Sequence, residues 1–289
     1  MGAGHRIGPT NAKLTGLMST HTVSAPARRD LMRPLRYAWR VPLLLLHVVL
    51  GIMLCGFVLT WNRDAVMQNG REPFPHRMIR WWSTALLRIF GLRSVRVGKP
   101  LADPVLFVAN HTSWIDIELL HSQRAACFVA KAEIASWPLV GWLAASGGTI
   151  FHRRGSNHSL AAVMQVMVDR LRGGRSVAVF PEGGTGHNGV LRVFHARIFQ
   201  AALDAEVPVQ PVALRFARDG RRVVDAGFRE HENFMQNFLR LLGEAPLDAE
   251  VHFLEPVPAT PDARRRMAEL SRERIALALE DQPNHDSRA

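Results

Sequence analysis

Residues 104–120 read PVLFVANHTSWIDIELL, and this stretch decides the architecture. Val105 to Ala109 is a short unbroken apolar run, the pattern of a strand buried on both faces. His111 follows at once, and the segment after it has helix-starting character. His111 and Asp116 therefore fall just beyond the carboxyl end of a strand, the edge at which open parallel sheets gather ligands.

The same alternation recurs outward from this segment. The runs SVRVG (94–98), ACFVAK (126–131), GTIFHRR (148–154), SVAVFPEGG (176–184), VPVQPVALRF (207–216) and EVHFLEPV (250–257) read as strands separated by helical stretches. The prediction is an α/β domain over 94–289, with a largely parallel sheet flanked by helices. Thr260 to Glu280 reads as a closing charged helix.

Upstream lie two other kinds of chain. Residues 1–30 are rich in Gly, Ser, Thr, Ala and Arg without apolar periodicity and read as a basic, poorly ordered tail. Val41 to Trp61 carries no charged residue and is about the ~20 residues that cross hydrocarbon as a helix. Arg28, Arg29, Arg33, Arg36 and Arg40 precede it, so it reads as a membrane helix. It starts too far into the chain for a signal peptide and lacks a cleavage pattern. Pro75 to Arg93 follows, with Met78, Trp81, Trp82, Leu86, Ile89 and Phe90 at helical spacing among Arg77, Arg80 and Arg88, an interfacial amphipathic pattern. Residues 31–93 thus read as a membrane-associated helical segment. The five arginines favour a cytoplasmic amino terminus, yet one full crossing would then strand His111 on the opposite side. The two helices are therefore expected to embed from the cytoplasmic face.

Net charge is +11, with 36 Lys+Arg against 25 Asp+Glu, which suits nucleic acid, anionic lipid or an acidic carrier protein. No zinc-finger spacing, ribonucleoprotein motif or basic zipper is present, which argues against nucleic acid. Cys55 and Cys127 are far apart, so neither a disulfide framework nor a thiolate metal site is indicated. His152, His158, His187 and His195 lie near one another in sequence, but their spacing fits no zinc pattern, and no metal or cofactor is expected.

A carboxylate that bonds one ring nitrogen of a histidine fixes the tautomer and leaves the other nitrogen free to take a proton near neutral pH. His111 and Asp116 form the sole H-x4-D in the chain. Spacing of this kind is weak alone; its place after a strand, and ordered blocks beyond it, give it weight. No G-x-S-x-G elbow occurs, and Ser113 reads as a helix-cap hydroxyl rather than a nucleophile. Arg153 and Arg154 offer planar forks suited to phosphate, and Lys131 a point charge.

The blocks NHTSWID (110–116), GTIFHRR (148–154), FPEGG (180–184) and VPVQPVAL (207–214) together resemble the four ordered motifs of the glycerolipid acyltransferases of lysophosphatidic acid acyltransferase type. The resemblance covers roughly Val105 to Phe216. It implies an enzyme that moves an acyl chain from acyl-CoA or acyl carrier protein to the free hydroxyl of 1-acyl-sn-glycerol-3-phosphate. It further implies His111 as general base, Asp116 as its orienting partner, Arg154 as a phosphate ligand, Glu182 and Gly183 as acceptor-site residues, and Pro208 and Pro211 as site-shaping. The expected location is the cytoplasmic face of a bacterial inner membrane. The chain departs from the motif at Gly184, where the family usually has Thr; Thr185 follows. Residues 185–214 resemble a bacterial subgroup that includes acyltransferases for lyso-ornithine lipids, which makes that acceptor the alternative. A non-catalytic membrane-docking protein and a thioester hydrolase are the competing classes, and intact His111, Asp116 and Glu182 argue against the first.

Overall fold

The computed structural model describes residues 30–61, 72–102, 104–153, 157–186, 189–224, 226–257 and 264–280, with side chains excepted at 55–61 and 157–158. The chain divides into Met1–Met32 and Arg33–Ala289, and the helices and strands of the described residues lie in the second unit. Its elements in order are α1 (Arg33–Trp61), α2 (Phe74–Ile89), β1 (Leu92–Val97), β2 (Leu106–Ala109), α3 (Ile115–Gln123), β3 (Cys127–Lys131), α4 (Val140–Ser146) and β4 (Ile150–His152). Next come α5 (Asn157–Arg172), β5 (Val177–Val179), α6 (Gln200–Ala205), β6 (Val209–Arg218), β7 (Arg221–Arg222), α7 (Phe234–Gly243), β8 (Leu247–Phe253) and α8 (Arg264–Leu279).

The strands form one sheet in the order β1-β8-β6-β2-β5-β3-β4, with the two-residue β7 pairing β6. The run β6-β2-β5-β3-β4 is parallel; β8 joins it antiparallel to β6 and carries β1 parallel to itself. All seven strands expected from the sequence are present within a mixed, mostly parallel sheet, and β7 is added. β2 shows why its sequence is apolar throughout. Leu106 and Val108 point into the core beneath α5, α6 and α8, while Phe107 and Ala109 point into the core beneath α2, α3 and α7. All four are at most 1 % exposed, and burying the three larger side chains is worth about 1.5–3 kcal/mol each.

Several boundaries differ from the sequence reading: α1 starts at Arg33 rather than Val41, β8 starts at Leu247 rather than Glu250, and the α2–β1 join is shifted. The helix expected to reach Arg93 ends at Ile89, and β1 begins at Leu92 rather than Ser94. Gly91 makes the break at φ 77°, with the Arg40 guanidinium standing where a Cβ would project. Arg93 consequently pairs with Asp248 across β1 and β8, at 2.6 and 2.8 Å. The closing helix runs Arg264–Leu279; residues 258–263 lie outside the described residues.

α1 is long and apolar enough to cross a membrane, and most of its candidate span is unburied. It is nevertheless joined to the domain along one side. Tyr37 and the Arg40 guanidinium reach the carboxyl end of α7, and the His47 ring stacks on Trp82 of α2 at 3.8 Å. Gly51, one turn beyond His47, completes a notch for that indole: an added Cβ would overlap its ring. Thus Trp82 serves helix packing, whereas Trp81 and Phe74 are exposed. Arg80, one of the arginines in the expected interfacial pattern, bonds Glu72 at 2.7 Å.

Candidate active site

β2 hands the chain to His111 at the carboxyl edge of the parallel strands. Asn110, buried at the exit, replaces ladder bonds with two of its own: Nδ2 donates to Leu214 O at 2.9 Å, and Leu214 N donates to Oδ1 at 2.8 Å. The strand end is thereby stitched to β6 while the backbone turns.

His111 Nδ1 lies 3.0 Å from Asp116 Oδ2. The same oxygen accepts from Thr112 N, and from Ser113 N at 2.8 Å, and the Thr112 hydroxyl reaches Oδ1 at 3.2 Å. Oδ2 is held as an acceptor by these two backbone N–H groups, so toward the ring it accepts as well and the proton sits on Nδ1, which in the neutral imidazole leaves the lone pair on Nε2. The ring lies flat on Phe180, centroids 3.9 Å apart and planes 10° apart, and its side chain is 16 % exposed. That fixes the imidazole plane and leaves an opening to it.

The FPEGG segment holds His111 from behind. Glu182, 2 % exposed, accepts from His111 N through Oε1 at 2.8 Å and from Arg192 N through Oε2 at 2.9 Å. Burial pushes its carboxyl above the usual range, and those two backbone N–H groups oppose the rise. Gly186 N donates to His111 O at 2.7 Å, so the backbone of His111 is bonded on both sides by one loop. Gly183 has φ 69°, and a Cβ there would stand 3.1 Å from the His195 ring.

His111, Asp116, Glu182 and Gly183 are thus brought together. Lys131 ends β3 and pairs in register with His152, and both Lys131 and Arg153 are exposed. β4 is three strands from β2, roughly 14 Å at the usual strand spacing, so Arg153 stands toward the far end of the edge. Arg154 and His187 lie outside the described residues. Pro208 O accepts from Leu106 N at 3.0 Å, and Pro211 sits beside Val108. Ser113 departs from the expected cap role: α3 has no side-chain cap, and the Ser113 hydroxyl donates to Asn237 Oδ1 at 2.9 Å. The carboxylate of Asp116 instead reaches back to Thr112 N and Ser113 N, and the early helix N–H groups of Asp116 and Ile117 are met by the Ser113 and Trp114 carbonyls. Sequence reading missed α7 altogether, although Asn233-x-x-Gln236 before an apolar run is a capping-box signal.

A family model described as Acyltransferase matches residues 87–215, which span the end of α2 to the middle of β6 and contain the whole site. Lyso-ornithine lipid O-acyltransferase of Pseudomonas aeruginosa is 36 % identical over 248 residues, covering 86 % of this chain and 95 % of that protein. The chain belongs to the lysophosphatidic acid acyltransferase family. This family member is also 37 % identical to the 1-acyl-sn-glycerol-3-phosphate acyltransferase of Neisseria gonorrhoeae, over 42 % of the chain and 49 % of that protein. Its fold matches the crystal structure of the 1-acyl-sn-glycerophosphate acyltransferase PlsC from Thermotoga maritima with TM-score 0.61 at 20 % identity, over 88 % of this chain and all of that one. The acyltransferase assignment follows from the family, with a lysolipid acceptor and an acyl donor as its substrates.

Proposed function

We propose that His111 is the general base that activates the free hydroxyl of a lysolipid, and that lyso-ornithine lipid is the acceptor. The observation that carries the mechanism is the Asp116–His111 pair with Nε2 unbonded to the carboxylate and the ring partly open. Nε2 takes the hydroxyl proton as the oxygen attacks the thioester carbonyl. The tetrahedral intermediate collapses by breaking the C–S bond, and the leaving thiolate takes the proton back from the imidazolium. Main-chain N–H groups or nearby cations would stabilise the oxyanion. No acyl-enzyme is required. Glu182 holds the His111 backbone, and Lys131 and Arg153 form the cationic end of the edge; with Arg154, next in the sequence, they supply cations suited to phosphates of the acceptor or of an acyl-CoA or acyl carrier protein donor.

The acceptor preference rests on extent. The lyso-ornithine lipid O-acyltransferase of Pseudomonas aeruginosa matches almost end to end, and residues 185–214 resemble the subgroup that includes such enzymes, just after the departure at Gly184 from the Thr usual in the family. The second reading, 1-acyl-sn-glycerol-3-phosphate, is favoured by the four motif blocks and the cationic edge. Membrane attachment from the cytoplasmic face of a bacterial inner membrane is supported by α1, whose side from Arg36 to Gly51 is occupied by α7 and α2.

An acyl-transfer assay with both acceptors and both donors tests the reading. The expected result is acylated ornithine lipid from wild type and a ~100- to 10,000-fold loss of turnover in His111→Ala, which removes the base. Near-normal turnover by folded His111→Ala would end the mechanism, and product only from 1-acyl-sn-glycerol-3-phosphate would establish the second acceptor.

A further inference from the structure

The bonds that hold the His111 loop continue without a break into α1. Thr112 and Ser113 supply two of the three N–H or ring donors to Asp116 Oδ2, so where they stand decides where the carboxylate stands. Both are held by α7 and the loop before it. The Ser113 hydroxyl donates to Asn237 Oδ1 at 2.9 Å, and Phe228 N donates to Thr112 O at 2.9 Å. Gly227 lies so near that an added Cβ would meet the Thr112 Cβ at 3.2 Å.

Asn237 is itself fixed. Its Nδ2 donates to Gly227 O at 3.1 Å and to Glu232 Oε2 at 2.9 Å. Arg240, nearly one turn further, bonds Glu232 Oε1 at 2.6 Å and Gly227 O at 2.7 Å. Ser113 and Asn237 are fully buried and Arg240 nearly so. Apolar side chains of similar volume could fill such positions at little loss of stability. What directional bonds add is a defined position and rotation for the backbone they hold.

The other end of α7 is gripped by α1. Leu239 O accepts from the Tyr37 hydroxyl at 2.6 Å, Gly243 O from Arg36 Nη1 at 3.0 Å, and Leu242 O and Glu244 O from Arg40 Nη1 at 2.9 Å each. Carbonyls at a helix end lack intrahelical partners, and cations there also suit the helix dipole. The capping box of Asn233 and Gln236 closes the amino end. α7 is thus pinned at both ends, one on the lipid-type helix and one on the loop that orients His111.

We infer that α7 is a strut in which Asn237 is a positioning residue for the reaction, holding Thr112–Ser113 and through them the Asp116–His111 pair, with its stance set by the grip of Arg36, Tyr37 and Arg40. This rests on His111 being the base. Seating of α1 and alignment of the base then form one mechanical unit, and a 1 Å misplacement at such a centre costs up to ~100-fold in rate.

The test uses the full-length protein in lipid vesicles. Ser113→Ala should lower kcat about tenfold or more with KM for both substrates within about twofold and the thermal midpoint near wild type, and it should displace the pH profile of kcat because Asp116 no longer holds the imidazole in the same geometry. Asn237→Ala cuts the same link from the other side, so wild-type kcat in whichever of the two folds overturns the inference. Arg36→Ala/Tyr37→Phe, at the outer end, should also lower kcat, and combining it with Ser113→Ala should lower kcat no further than Ser113→Ala alone. Distant independent sites multiply instead, and multiplication would refute the link to α1. An active His111→Ala marks failure of the base assignment, whereas an inactive His111→Ala with fully active Ser113→Ala marks failure of the strut alone.

Discussion

Glu182 gives its two oxygens to two backbone N–H groups, those of His111 and Arg192. A glutamine has the same shape but one acceptor oxygen and one NH2, so one of the two backbone donors would face another donor. Glu182→Gln is therefore expected to destabilise the protein by about 1–3 kcal/mol, the cost of an unsatisfied buried group, and to lower turnover by loosening the His111 backbone. Calorimetry and the transfer assay on the same preparation check this; a variant as stable and active as wild type would remove Glu182 from the positioning role. The pH sense is also fixed. Burial raises the folded-state value above the ordinary 4.5, so the ionised side chain subtracts stability as pH rises through the interval above 4.5. Phe180 and Gly183 carry the rest of the motif's local logic: one stacks on the His111 ring, and the other takes a left-handed φ beside His195.

Among the elements, α7 depends most on a single ion pair. Arg240 and Glu232 are both nearly buried, and the Arg240 hydrogen bonds, helped by Arg229 N and Asn237, hold the Glu232 carboxyl down to about 2 against the opposing effect of burial. A folded value below the unfolded one means the contribution is fully present above about 4.5 and is lost as pH falls toward about 2. Glu232→Gln should flatten that part of the thermal-midpoint profile, removing ~1–2 kcal/mol after allowance for solvent screening. A variant whose midpoint falls with acid as steeply as wild type would assign the acid sensitivity elsewhere. α2 illustrates a divided element: Ser83, Leu86 and Leu87 are buried, with the Ser83 hydroxyl on Glu118 Oε2 at 2.7 Å, while Trp81 and Phe74 remain exposed.

At the scale of the molecule, α1 poses a geometric question. Twenty-nine residues make a helix about 44 Å long, enough to cross hydrocarbon, yet contacts with α7 and α2 occupy one side from Arg36 to Gly51. A perpendicular crossing would draw α2 and α7 to membrane depth with their charged side chains, which is costly. The rest of its surface, with Leu43, Leu45, Leu46, Val49, Leu50 and Met53 exposed, is free for a helix lying in one leaflet. Single-cysteine variants at Asn62 and Ala289, in a background with Cys55 and Cys127 replaced, should both label from the cytoplasmic side in inverted vesicles. Labelling of Asn62 from outside, with Ala289 still cytoplasmic, would mean that the chain crosses twice.

The sequence by itself determined the strands and the pairing of His111 with Asp116 at the end of β2. Apolar runs such as 105–109 are local signals, and His111 and Asp116 are close enough along the chain for one turn to pair them. Four blocks in order carried the family, and the capping box of α7 is a local signal too. The remainder belonged to tertiary structure, because it joins residues that no periodicity links. Glu182 meets His111 across 71 residues only because β5 lies beside β2. Ser113 finds Asn237 across 124 residues, and Arg40 finds Leu242 across 202. A side chain's type and spacing state what it can bond. Strand order and helix packing decide which partner is within reach, and so they turned an expected cap serine into a link and one expected interfacial tryptophan into a helix contact, and they set Glu182 against the histidine backbone.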